Sequence, residues 1–139
     1  MAKKFNVDIV TAQGRFWQGE SDMVIMVTVE GEMAIMAGHI PVVSALLPSA
    51  LRIRDEDGKF MVISIGGGFA EMTGQKATFL LRSAEWPQYI DVARAEAAKK
   101  RAEKRLADKT SGITDEKRAQ AAKQRAVSRL RIAQQEEKE

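Results

Sequence analysis

Nine of the ten glycines lie before residue 87, and only Gly112 lies beyond it. Glycine inside a helix costs about 1 kcal/mol relative to alanine. The first part of the chain is therefore suited to strands and turns, and only the second is free to be helical. Charge divides at the same place. Residues 1–86 carry 8 Lys/Arg and 10 Asp/Glu, a balance of −2, while residues 87–139 carry 14 and 9, a balance of +5. Two differently built pieces meet near Trp86-Pro87. The expected fold is α+β, with an antiparallel β-sandwich or flattened barrel over residues 1–86 and an α-helical hairpin over residues 87–139.

In the first piece, Phe5, Val7 and Ile9 alternate with Asn6 and Asp8, the period of a strand with one buried face. Gly14 and Gly19 interrupt. The apolar, β-branched run Met23–Val29 then predicts a strand buried on both sides, and Glu30-Gly31-Glu32 a turn. Leu51–Arg54 and Lys59–Ile65 flank the acidic turn Asp55-Glu56-Asp57-Gly58, the clearest hairpin in the chain. Phe69–Met72 and Lys76–Leu81 follow, divided by Thr73-Gly74-Gln75. Short strands with no helical segment between them imply a sandwich.

Little here suggests catalysis. Gly66-Gly67-Gly68 lacks the Gly-Lys-Ser/Thr ending of a phosphate-binding loop and leads into a strand, so a bend or bulge is expected. His39 is the only histidine, and it is read as a loop histidine bonded to backbone. No catalytic residue and no metal site is expected. The absence of cysteine excludes disulfides and thiolate metal sites. Met1-Ala2-Lys3-Lys4 starts like a signal peptide, but alternation follows in place of an apolar run, which argues against export. No apolar run approaches the roughly 20 residues of a membrane span. A cytoplasmic location fits these features.

The second piece repeats itself. Residues 94–106, RAEAAKKRAEKRL, and 118–130, RAQAAKQRAVSRL, agree at nine of thirteen positions without a gap. Between them Thr110-Ser111-Gly112-Ile113-Thr114 offers a glycine stop and, in Thr114, an N-cap, with Asp115 and Glu116 complementing the next helix's dipole. Ala95, Ala98, Ala102 and Leu106 share one face, and Ala119, Ala122, Ala126 and Leu130 repeat it. Alanine faces allow close approach but bury little area, so the hairpin should be marginal, and a ligand could decide whether it stays closed. Arg94, Arg101 and Arg105 lie within about 40° of one another on a helix of 3.6 residues per turn, and Arg118, Arg125 and Arg129 repeat the spacing. Such a face is either solvated, with Glu96, Glu103 and Glu116 as local partners, or an anion site of guanidinium forks.

The whole pattern resembles the epsilon subunit of bacterial and chloroplast ATP synthases. Phe5-Asn6-Val7-Asp8-Ile9-Val10-Thr11 is similar to that family's opening strand, and the stretch from Gly31 to Pro41 to its most recognisable loop. Ala12, Ala34 and Ala37 depart from the usual residues there. Ile90-Asp91-Val92-Ala93-Arg94-Ala95 matches the family's Ile/Leu-Asp-x-x-Arg-Ala motif for ATP. The resemblance implies that Ile90, Asp91, Ala95 and nearby backbone meet adenine, that Arg94 closes the site, and that Arg101, Arg118, Arg125 and Arg129 approach ribose and phosphates. It also draws in Glu85. ATP, alone or with Mg2+, would be a regulatory ligand, with no catalytic cofactor. The implied partners are the gamma subunit, the membrane rotor c-ring and, with the hairpin extended, the alpha/beta catalytic head. Glu30, Glu32 and His39 are implied partner contacts. The implied location is the cytoplasmic face of the bacterial cell membrane, as a peripheral part of the complex that couples proton translocation to ATP synthesis.

A sequence pI near 9.3 motivates a different reading, a basic helical-hairpin adaptor for nucleic acid. Against it, acid is interleaved with the basic residues and no aromatic follows Tyr89 for stacking on bases. A coiled-coil oligomerisation module is disfavoured by the short alanine stripe and its lack of large core residues. A stand-alone enzyme lacks any nucleophile or acid/base pair in a recognisable context.

Overall fold

The computed structural model describes residues 3–108 and 112–138. The chain divides into two compact units, Met1–Glu85 and Trp86–Glu139. The first unit contains β1 (Phe5–Thr11), β2 (Gly14–Ser21), β3 (Met23–Thr28), β4 (Gly31–Met36), β5 (Val42–Arg54), β6 (Phe60–Thr73), β7 (Lys76–Leu81) and β8 (Ala84–Glu85). They form one unclosed sheet in the order β2-β1-β7-β6-β5-β3-β4, with β8 also paired to β6. Only the β1–β7 pairing is parallel.

Two long strands fold this sheet into a sandwich. In β5 the buried position is Leu46 before Pro48 but Leu51 and Ile53 after it. In β6 it is Ile63 and Ile65 before Gly66-Gly67-Gly68 but Ala70 and Met72 after. Each strand thus turns a different face inward along its two halves. The changes occur side by side, because Pro48 pairs with Gly66 and Leu46 with Gly68. Strands that cross from one layer to the other make such corners with bends. Glycine is required there. Gly68 has φ +147°, and a Cβ on it would collide with the Leu80 carbonyl oxygen. The core between the layers holds Phe5, Val7, Ile9, Val24, Met26, Ile35, Leu51, Ile53, Ile63, Ile65 and Phe79.

The expected hairpin forms, with Arg54 opposite Phe60. Asp55 Oδ1 accepts the amides of Asp57 and Lys59, both at 2.9 Å, which is how an aspartate organises a turn. Other expectations change. Gly14 and Gly19 do not interrupt the chain but lie within β2, where the Trp17 ring covers Gly19 so closely that a Cβ would meet it at 2.6 Å. Residues 31–36, expected as loop, form β4 against β3, which leaves a short connection to Val42. β3 is not buried on both sides: Val24, Met26 and Thr28 are buried, while Met23, Ile25 and Val27 are half-buried. The segments on either side of Gly66-Gly67-Gly68 are one continuous strand.

In the second unit, a 3-10 turn at Pro87–Tyr89 leads into α1 (Val92–Ala107) and then α2 (Ile113–Lys138), which form a hairpin. The predicted stripe is the contact face. Ala95, Ala102, Ala119 and Ala126 are buried, and Ala98, Leu106, Ala122 and Leu130 are half-buried. α2 has 26 residues against 16 in α1 and packs on the Pro87–Tyr89 turn. α2 begins at Ile113, with the Glu116 amide donating to the Gly112 carbonyl at 3.0 Å. Thr114, expected as its N-cap, therefore falls one residue inside the first turn. Thr110 and Ser111 of the expected connection lie outside the described residues.

Candidate functional site

The hairpin motif is organised by helix capping. Asp91 precedes α1 with extended φ and ψ, and its Oδ1 accepts the Arg94 amide at 3.0 Å. An aspartate there satisfies one of the unpaired N–H groups of the first turn and complements the positive end of the helix dipole. This role was legible in the aspartate placed just before a helical run, yet the sequence reading assigned Asp91 only a ligand contact. Ile90 and Ala95 are buried, so both pack within the unit, while Asp91 and Arg94 are exposed.

Further along the hairpin, a cleft of about 110 Å³ is lined by Ala98, Arg101, Ala102 and Arg105 of α1 with Ala119 and Ala122 of α2. Two guanidinium groups thus border a floor of small side chains. A wider opening of about 510 Å³ adjoins it, lined by Arg101, Lys104, Arg105, Ala107 and Asp108, a volume in the range of small-molecule sites. Arg101 belongs to both. Arg105 and Lys104 were not among the candidate site residues. The spacing Arg101-x-x-x-Arg105, one helical turn, is the signal that marks Arg105.

The antiparallel run of the helices sets Arg118 toward the Arg101 end of α1 and Arg125 and Arg129 toward the Asp91 end. Arg118 is exposed, and Arg125 and Arg129 are half-buried. One local ion pair of the expected kind is present, Lys99 with Glu103 at 4.0 Å.

The remaining candidates lie on the sandwich. Glu85 ends that unit in β8, opposite Ser64 of β6. Glu30 is exposed in the β3–β4 turn, where its amide donates to the Thr28 hydroxyl at 3.1 Å. Glu32 is tied to Arg52 at 3.0 Å, and that guanidinium also lies 6.0 Å from the Phe60 ring centre. His39 Nδ1 is 2.7 Å from the Ile40 carbonyl oxygen, the backbone-bonded loop histidine that was expected. Near it the sheet carries an exposed apolar patch: Val43 is 69% exposed, Phe69 58% and Leu80 53%. Phe69 and Leu80 are direct cross-strand partners. Among the described residues, no three His, Cys, Asp or Glu side chains converge as a metal site. No helix is long and apolar enough to cross a membrane.

Residues 4–87 match the family model described as the beta-sandwich domain of the ATP synthase delta/epsilon chain, and residues 89–134 match its long alpha-helix domain. The ATP synthase epsilon chain of Alkalihalophilus pseudofirmus is 44% identical over 126 residues, 91% of this chain and 94% of that one. That of Bacillus cytotoxicus is 42% identical over 131 residues, 94% and 97% of the two chains. Among solved structures, a chain of the Euglena gracilis mitochondrial ATP synthase superposes with TM-score 0.76 at 21% identity, over 90% of this chain and 78% of that one. One from the central stalk and c-ring of the Tetrahymena thermophila enzyme gives 0.71 at 12%, over 94% and 97%. The sandwich followed by the alanine-seamed hairpin, together with these matches over nearly its whole length, places the chain in the ATP synthase delta/epsilon family, as an epsilon subunit of the bacterial F-type.

Proposed function

We propose that this epsilon subunit regulates the rotary enzyme without catalysing a reaction itself, through a hairpin that ATP holds closed. The observation that carries the reading is the interhelical cleft, with an alanine floor and a border of Arg101 and Arg105. Guanidinium groups donate to phosphate oxygens in pairs. An alanine seam contributes only about 0.8 kcal/mol per buried methyl-sized group. A ligand touching both helices can therefore shift the balance between closed and open hairpins, because it favours one of them. Asp91 and Arg94 contribute at one end of the seam, Arg101 and Arg118 at the other, with Arg125 and Arg129 supplied by α2. Mg2+, where it accompanies ATP, is carried in with the phosphates.

The sandwich is the fixed part. Its apolar patch around Val43, Phe69 and Leu80 suits a lasting protein contact, which we assign to gamma, with His39 at the margin. Glu30 and Glu32 at the β3–β4 turn face the c-ring. When ATP is scarce the hairpin extends along gamma toward the alpha/beta head, and its basic surface opposes hydrolysis. The subunit then sits on the cytoplasmic face of the membrane as a peripheral member of the complex.

Calorimetric titration of the full chain with ATP tests the core of this reading. One-site binding that is lost in Arg94→Ala and Arg101→Ala is expected. The same variants should change the ATP dependence of hydrolysis in the reconstituted enzyme. Absence of ATP binding by the unaltered chain would sink the nucleotide switch and leave the hairpin arginines as partner contacts.

A further inference from the structure

We propose that Tyr89 is the platform on which the base of the nucleotide stacks. The inference rests on the nucleotide reading of the hairpin and gives it a residue that reading left unused. Tyr89 is the only tyrosine in the chain, and its side chain is 74% exposed although it adjoins buried Ile90. A ring left in water forgoes much of its apolar burial. Its backbone is nonetheless held: the Tyr89 amide donates to the Trp86 carbonyl at 3.0 Å, and the Ile90 amide to that of Pro87 at 3.2 Å. Pro87 further restricts the turn. The ring is thus presented on a rigid support, two residues before the cap of α1.

What surrounds it in sequence and space suits a purine. Asp91 commits Oδ1 to the Arg94 amide, leaving Oδ2 as an acceptor for an exocyclic amine. An aromatic face beside a carboxylate acceptor offers the two contacts a flat amino-substituted base can use, stacking and an in-plane hydrogen bond. From Asp91 to Arg101 is roughly 15 Å along the helix axis at 1.5 Å per residue. With the base at Tyr89, the nucleotide lies extended along the hairpin and carries its phosphates toward the cleft at Arg101 and Arg105.

The single tyrosine makes the test selective. The full chain labelled on its tyrosine ring should show one set of ring resonances. ATP should move them upfield and saturate in step with calorimetric binding, whereas tripolyphosphate, which has no base, should leave them in place. Tyr89→Leu should weaken ATP binding on the order of tenfold, and Tyr89→Trp should retain it. Resonances that stay fixed while the unaltered chain binds ATP would overturn the stacking role and leave the nucleotide site standing. So would an equal shift with tripolyphosphate, which reports hairpin closure alone, or unchanged affinity in Tyr89→Leu. Failure of the unaltered chain to bind ATP would overturn both.

Discussion

Asp91 has two roles to separate, because the carboxylate that caps α1 is also the group proposed to meet the base. Asparagine caps as well as aspartate, whereas alanine costs about 1 kcal/mol at an N-cap. Asp91→Ala should lower the thermal midpoint of the hairpin, followed by circular dichroism, and weaken ATP binding. Asp91→Asn should keep the helix and change only ATP affinity. Equal losses of helicity in both would show that the cap is all Asp91 supplies. On the sandwich, Asp22 accepts a hydrogen bond from Arg54 at 2.7 Å. That bond foremost, with the guanidinium charge, holds its carboxyl below the ordinary 3.8. Because the folded value is the lower one, the pair's stabilisation is full above the ordinary value and is lost as pH falls through the folded one. Asp22→Asn should therefore be less stable than the parent in urea at pH 7. That difference should shrink in acid, and a gap independent of pH would show that the charge does not matter.

At the scale of elements, small residues decide two arrangements for opposite reasons. At the sandwich corner, Gly68 is needed because backbone approaches backbone: the Leu80 carbonyl occupies the place of a side chain. Along the hairpin, alanine is needed because helix approaches helix. Ala102 is buried and lines the interhelical cleft, so Ala102→Leu inserts volume where none is free, at a cost of about 1–3 kcal/mol. The expected result is a hairpin that opens at a lower temperature. A distance probe joining α1 and α2 should report separation while the strand signal stays unchanged. A closed hairpin of undiminished stability would mean the seam is looser than its burial indicates.

Taken whole, the molecule joins a unit with a continuous apolar core to one held by a thin alanine seam. Such units need not unfold together. Scanning calorimetry of the full chain should show two transitions, the lower from the hairpin. ATP at about 100 times its dissociation constant should stabilise that one by roughly 2.7 kcal/mol and leave the upper in place. A single transition, or an equal rise in both, would show that the units are coupled more tightly than their separate cores require.

The division near Trp86, the hairpin at Asp55–Gly58 and the alanine seam were legible in sequence because each rests on local chemistry: glycine frequency, turn residues and helical spacing. The motif from Ile90 to Ala95 could be read for the same reason. What only the tertiary structure decided involves partners distant in the chain. β2 and β4 were hidden because both are edge strands, whose exposed positions and glycines blur the alternation that marks a half-buried strand. The passage of β5 and β6 between layers depends on Pro48 meeting Gly66 across the sheet, a pairing that neither segment encodes alone. In the hairpin, sequence aligned the arginines on each helix. Which of them border the alanine floor, Arg101 and Arg105, was set by how two helices with nearly the same sequence come together.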